Sequence, residues 1–206
     1  MKHDRLGLER IVFFTDAVFA IALALLALDI HLPDLLENPA PDHPLDLLSH
    51  HQGYVTSLFM VGLYWVSHRH CCRFIRRYNK TFVAINLALL LNVALLPFAT
   101  TVFEDYGQHA SVVIFYALCM AVTGYLKTGL WLYATHHHRL ISRYLTCDRI
   151  RRLTWRVLIP PLVFTASAGI AFFDITLARL AWGAVLFALW PQPVIRLALL
   201  GQSRPL

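Results

Sequence analysis

Six apolar runs, each about as long as a bilayer is thick, leave few ways to fold this sequence. They fall at about residues 11–31, 53–72, 81–103, 111–134, 156–173 and 175–195. A helix needs about 20 residues to cross the ~30 Å hydrocarbon core. Inside that core a helix satisfies its own backbone hydrogen bonds, which a loose loop cannot do. The runs therefore predict an all-α membrane protein with six transmembrane helices, in a single domain over residues 1–206. Composition agrees: 58% of the 206 residues are hydrophobic and 15% are charged, against roughly 45–50% and about 25% in soluble domains.

A net charge of +6 could suggest a nucleic-acid partner in a soluble chain. Here its placement argues for topology instead, and no nucleic-acid partner is expected. Sixteen of the 18 Lys and Arg lie before span 1, between spans 2 and 3, between spans 4 and 5, or after span 6. The complementary loops carry Asp34, Glu37, Asp42 and Asp46, then Glu104 and Asp105, then Asp174, with Arg179 the nearby cation. By the positive-inside rule both termini face the cytoplasm of a multi-pass cell-membrane protein. The first run is too long for a signal-peptide core, carries Asp16, and is followed by no small-x-small cleavage site, so it is expected to remain as a helix. Segment 32–50, with four prolines, reads as an ordered external loop, and Asp148 to Arg156 as a short basic helix on the membrane surface. The first three spans do not recur in the last three, which weighs against an inverted-repeat transporter.

The four cysteines, Cys71, Cys72, Cys119 and Cys147, imply no disulfide framework at a reducing face or in mid-membrane. Cys71 and Cys72 beside His68 and His70, and the run His136, His137, His138, have the residue types of a metal site. Adjacent helical residues point apart, however, and neither a metal nor a cofactor is expected. Lys127 lies near the middle of span 4, where a lipid-facing ammonium is costly. It must face protein, water or a partner, or snorkel to the interface.

The first helix is the most structured of the runs. At ~100° per residue, Phe14, Val18, Ile21, Leu25 and Leu28 form one stripe, with Ala17, Ala20, Ala24 and Ala27 beside it. Small residues at that spacing let membrane helices approach closely. The bulky row either faces lipid and plain helix contacts or meets its own copies on a symmetry axis, where an apolar constriction can gate an ion path. Asp29 would then place negative charge at the mouth. Asp16 lies about 140° from Ile21 around the helix and needs a protein partner, with Arg10, Thr15, Trp65, Ser67, His68 and Asn86 as candidates. Such a polar cluster serves helix packing.

The segment Arg10-x-x-x-Phe14-Thr15-Asp16-Ala-Val-Phe-Ala-Ile21-Ala resembles the first-helix signature of the transmembrane protein 175 family of potassium channels. The similarity continues through Tyr64-Trp65-x-x-His68, Ile85-Asn86-Leu87-x-Leu89-Leu90 and Leu95-Leu96-Pro97-Phe98-x-Thr100, so it covers spans 1 to 3. Beyond them it is looser, as in Leu130-Trp131-x-Tyr133-Ala134. The resemblance implies one six-helix unit per chain, assembling as a homotetramer in the lipid bilayer. It also implies a pore lined by the first helix, without a re-entrant carbonyl filter. The family's isoleucine and two leucines map onto Ile21, Leu25 and Leu28, the row that helical periodicity selects. Departures are Thr15 for the family serine, Ala24 for the threonine before the second constriction residue, and Ser67 and Arg69 around the histidine. These bear on the degree of potassium selectivity.

The sequence thus leads to a passive channel for K+ and similar monovalent cations, with no catalytic residues. It contains no Thr-Val-Gly-Tyr-Gly filter and no Arg at every third position of a span. The alternative is a proton- or ion-coupled transporter using Asp16, His68 and Lys127 as a relay. An enzyme built on His136 to His138 lacks a paired carboxylate or a convincing ligand set.

Overall fold

Long apolar runs with few internal breakers produce long helices, and the computed structural model contains six among its described residues, 2–29, 52–141 and 145–189. They are α1 (Lys2–Leu28), α2 (Gln52–Cys72), α3 (Lys80–Tyr106), α4 (Ala110–Thr135), α5 (Cys147–Ile170) and α6 (Ile175–Leu189). The proline-containing segment 32–50, Arg143, and everything after Leu189, including Arg196 and Arg204, lie outside the described residues. Among the described residues four helices are long and apolar enough to cross a membrane: Leu6–Leu28 of α1, then α3, α4 and α5. The expected count of six depends on the other two. α2 is diluted by Ser67, His68, Arg69 and His70, and α6 is described for only 15 residues.

One boundary differs from expectation. The segment from Asp148 to Arg156 is not a separate surface helix but the first turns of α5. Its arginines end the apolar run, but arginine is a good helix former and nothing in the segment breaks the backbone. Hydropathy and helix length part company here.

α1 packs on α2 and α3, α3 on α4, α4 on α5 and α5 on α6. The main core joins Phe19 and Leu26 of α1, Met60, Val61 and Tyr64 of α2, Leu89 and Leu96 of α3, Tyr116 and Met120 of α4, Phe164 of α5 and Trp182 of α6. A second core, around Ile75, Phe82, Trp131 and Ile141, lies where the α2–α3 and α4–α5 connections meet. Ile75 and Ile141 form a single antiparallel bridge there, and the Arg76 N–H donates to the Leu140 carbonyl at 2.8 Å. Asn79 caps α3, accepting from the Phe82 N–H at 2.9 Å while its amide donates to Tyr133 at 2.7 Å. At the opposite end Arg179 donates to the Gly107 carbonyl and lies over the Phe103 ring. Glu104 there accepts from the Gly53 N–H at 2.9 Å, an approach that a Cβ on residue 53 would obstruct.

The α4–α5 contact explains how two consecutive prolines sit inside a helix. Pro161 cannot donate to the carbonyl of Val157, one turn earlier. The Thr128 hydroxyl of α4 lies 3.0 Å from that carbonyl and 2.8 Å from the Gly124 carbonyl of its own helix, and its one proton is shared between the two acceptors. Gly124, one turn before Thr128, admits the proline ring itself: a Cβ there would fall 2.8 Å from Pro161 Cβ. Two small residues on one helix thus accommodate the breaker on the other.

Thr128→Val, which keeps the shape and removes the donor, should cost about 1 kcal/mol, read as a lower midpoint of thermal unfolding in detergent. Gly124→Leu should lower it further, because it wedges α4 from α5. An unshifted midpoint in both variants would refute the assigned lock.

Candidate functional site

Helical period divides α1 into two unlike sides. Leu8, Thr15, Phe19, Ala22 and Leu26 are buried against α2 and α3. The bulky row faces away: Ile21 is 60% exposed, Leu25 45% and Leu28 75%. Phe14 is exposed with them, as are Ala17, Ala20, Ala24 and Ala27, whereas Val18 is half-buried at the edge. Among the described residues this surface has no apolar partner. Asp29 follows the row at the end of α1, half-buried, with its N–H bonded to the Leu25 carbonyl at 3.0 Å.

The signature residues lie on the other side and fasten α1 to its neighbours. Thr15 is fully buried and donates its hydroxyl to the Ile11 carbonyl one turn back at 2.9 Å. Its oxygen is then free only to accept, and it does so from Nδ2 of Asn86 on α3 at 2.9 Å. That interaction turns Oδ1 of Asn86 toward His68 on α2, whose Nε2 lies 3.3 Å away. An amide oxygen accepts only, so the network assigns the His68 proton to Nε2. Nδ1 is left as acceptor, 3.6 Å from the Cys72 thiol. The run from Cys72 through His68, Asn86 and Thr15 to the Ile11 carbonyl is a one-way series of donors joining three helices. The Phe19 ring covers His68, with centroids 6.1 Å apart.

Asp16 stands beside this series. Of the partners the sequence allows, it takes Trp65, whose indole N–H donates to Oδ1 at 2.8 Å. Arg69, one turn along α2, lies over the Trp65 ring at 5.4 Å. Arg10 is exposed. Lys127 does not snorkel. It is buried, donates to the Ser67 hydroxyl at 3.0 Å and lies 4.8 Å from the Tyr64 ring centroid. His68 and Lys127 therefore use different partners, and among the described residues no hydrogen bond joins Asp16 to either. The sequence placed Tyr64 in the family motif and Cys72 beside His68, but identified neither partner: the Tyr64 ring lies against Lys127, and the Cys72 thiol lies 3.6 Å from Nδ1 of His68.

All four cysteines are free thiols. The His136 and His137 rings meet edge to face at 4.2 Å, in a turn where His137 adopts a left-handed backbone with φ 50°. Among the described residues no three His, Cys, Asp or Glu side chains converge as metal ligands would.

Fold and site together define a multi-pass helical membrane protein whose first helix is bolted inward by buried polar side chains and presents an apolar row outward. Residues 10–97, the part holding most of α1, all of α2 and most of α3, match the family model described as Endosomal/lysosomal potassium channel TMEM175. A protein of Streptomyces collinus named as a potassium channel is 28% identical over 180 residues, covering 84% of this chain and 87% of its own. Another so named, from Chamaesiphon minutus, is 25% identical over 175 residues, covering 82% and 86%. The rat protein named Endosomal/lysosomal proton channel TMEM175 is 21% identical over 183 residues, 84% of this chain but 37% of its own. The fold is similar to the crystal structure of a lysosomal potassium-selective channel TMEM175 homolog from Chamaesiphon minutus. The TM-score is 0.72 with 23% identity, covering 96% of this chain and 99% of the other. The chain is thus similar to TMEM175 proteins, the likeness that its first-helix motif implies.

Asp16→Asn retains an oxygen for the Trp65 indole and should leave thermal stability in detergent nearly unchanged. Asp16→Ala and Asn86→Ala each orphan a donor within the bundle and should cost about 1–3 kcal/mol. Equal stability of all three variants would contradict the bolting role.

Proposed function

We propose that this chain is one subunit of a potassium-permeable cation channel, in which copies of α1 meet on an axis and Ile21, Leu25 and Leu28 form the constriction. The observation that carries the reading is the exposed apolar row on the helix bearing the family signature. The opposite face of that helix is occupied by α2 and α3, and among the described residues nothing covers the row, which leaves it free to meet other copies. The interior of the subunit is packed with side chains from all six helices, which supports a pore between chains rather than within one. Exposed Ala17, Ala20, Ala24 and Ala27 would let neighbouring backbones approach closely. The names of the bacterial relatives supply the ion, and the family resemblance supplies the homotetramer.

In this reading residues 1–206 act as a single six-span transmembrane domain with both termini cytoplasmic, since the cations of the two bridged connections share one end of the bundle. Asp29 sits at the opposite mouth and raises the local cation concentration. Ions pass an apolar ring rather than a carbonyl filter, so dewetting controls the gate and selectivity is modest. The permeant ion is the only small molecule the mechanism needs, and no residue is catalytic.

Purified protein in liposomes should pass K+ down its gradient faster than Na+, without dependence on a pH gradient. Ile21→Asn and Ile21→Cys should change conductance or selectivity strongly in planar bilayers, on the order of severalfold, because they replace the apolar ring at its narrowest side chain. Unchanged currents in both variants would remove Ile21 from the constriction, and a flux driven by the proton gradient would favour coupled transport instead.

A further inference from the structure

At the end of the bundle away from the two bridged connections, a cleft of about 530 Å³ lies between the first turns of α2 and α6 and the last turn of α3. Its walls follow from how those helices end. Asp174 caps α6, accepting from the Thr176 and Leu177 N–H groups at 2.7 and 3.1 Å. Arg179, less than two turns further on, donates to the carbonyl of Gly107, the residue that ends α3. Phe103 and Trp182 line the cleft as buried rings that meet edge to face, with centroids 5.3 Å apart. The Trp182 indole N–H is already given to Ser167 at 2.7 Å. The polar side chains of the lining are therefore Thr56, Glu104, Gln108, Thr176 and Arg179.

Glu104 and Arg179 give this one cleft a charge of each sign, and glycines seat both. The Gly53 N–H holds Glu104 at 2.9 Å, and a Cβ on residue 107 would fall 2.8 Å from Nη2 of Arg179. Gly107 is three residues past Glu104, so the guanidinium is anchored about one helical turn from the carboxylate. That guanidinium meets one carbonyl and the Phe103 ring at 5.1 Å, while its Nε is buried with no hydrogen-bond partner. A half-buried cation with so few acceptors favours an anion beside it. A bare anion would also meet the charge of Glu104, and a bare cation that of Arg179. A ligand with both charges a few bonds apart matches the cleft where neither ion alone does. Depth selects its source. At ~1.5 Å per residue, Glu104 lies about 36 Å along α3 from Lys80, farther than the ~30 Å hydrocarbon core is thick. The cleft therefore stands among lipid headgroups, in the leaflet opposite the arginine-rich end.

We propose that this cleft binds the zwitterionic headgroup of phosphatidylethanolamine, with the phosphate on Arg179 and the primary ammonium toward Glu104. The site rests on the chain spanning a bilayer and not on conduction, so it stands or falls separately from the channel reading. The test is native mass spectrometry of the full chain released from equal parts of phosphatidylethanolamine, phosphatidylglycerol and phosphatidylcholine. Wild type should retain phosphatidylethanolamine over the other two, because phosphatidylglycerol lacks the cation and the choline ammonium has no proton to donate. Arg179→Gln and Glu104→Gln should each reduce that preference by on the order of tenfold, the worth of one charge-assisted hydrogen bond. Asp105→Asn removes the same charge as Glu104→Gln from the neighbouring, exposed position and should keep the preference. Should Arg179→Gln fail to fold, Glu104→Gln carries the comparison, since it retains an oxygen for the Gly53 N–H. Equal retention of phosphatidylglycerol by wild type would show a simple anion site, and equal loss in Asp105→Asn a diffuse field. An unchanged preference in Glu104→Gln would show no such site. Displacement of the lipid by equimolar O-phosphoethanolamine would make the ligand a soluble zwitterion. Each of these four results overturns the proposal.

Discussion

A polar group inside a bilayer must find its partner within the protein, because lipid supplies none. That constraint organises this structure more than any apolar contact does. It explains why Thr128 points at the Val157 carbonyl that Pro161 leaves open. It explains why Thr15, Asn86 and His68 are arranged in series, and why Lys127 folds inward onto Ser67. Apolar packing among transmembrane helices gains little over packing against lipid. Position and register are therefore specified by the few groups that cannot tolerate lipid at all.

For α1 the consequence is a division of labour around one helix. Thr15 and Asp16 engage α2 and α3 and fix the rotation of the helix about its own axis. Once that rotation is fixed, Ile21, Leu25 and Leu28 have no choice but to face outward. A signature of polar residues can thus control apolar side chains lying one to three turns away. In the proposed assembly a rotation of a few tens of degrees would exchange branched side chains for alanines on the axis, so the width of the constriction depends on bolts that never touch an ion.

Much of this was legible in the sequence, for physical reasons. Period-3.6 patterning separated the two faces of α1 before any coordinates. The cost of an intramembrane carboxylate predicted that Asp16 would have a partner, and Trp65 was among the candidates, although nothing local could choose it over His68 or Asn86. Long-range pairings were not legible. Ser67 and Lys127 are 60 residues apart, and Gly124 and Pro161 each read alone as a helix breaker, although together they form a joint. The start of α5 was misplaced because hydropathy records where a helix leaves the hydrocarbon, whereas backbone propensity decides where it ends.

Lys127 illustrates how such a constraint reaches beyond one residue. Its ammonium is met by one hydroxyl and a ring face, which compensates less of its lost hydration than a carboxylate would. Asp16 is on the same bundle, yet its oxygen is given to Trp65. Had the two charges been paired directly, α1 would be tied to α4, and its rotation would follow any movement of that helix. With Asp16 held by α2, and Lys127 holding α4 to that same α2, the second helix becomes the shared abutment. The motif residues Trp65 and His68 sit on this shared α2, the element against which the exposed apolar row of α1 is registered.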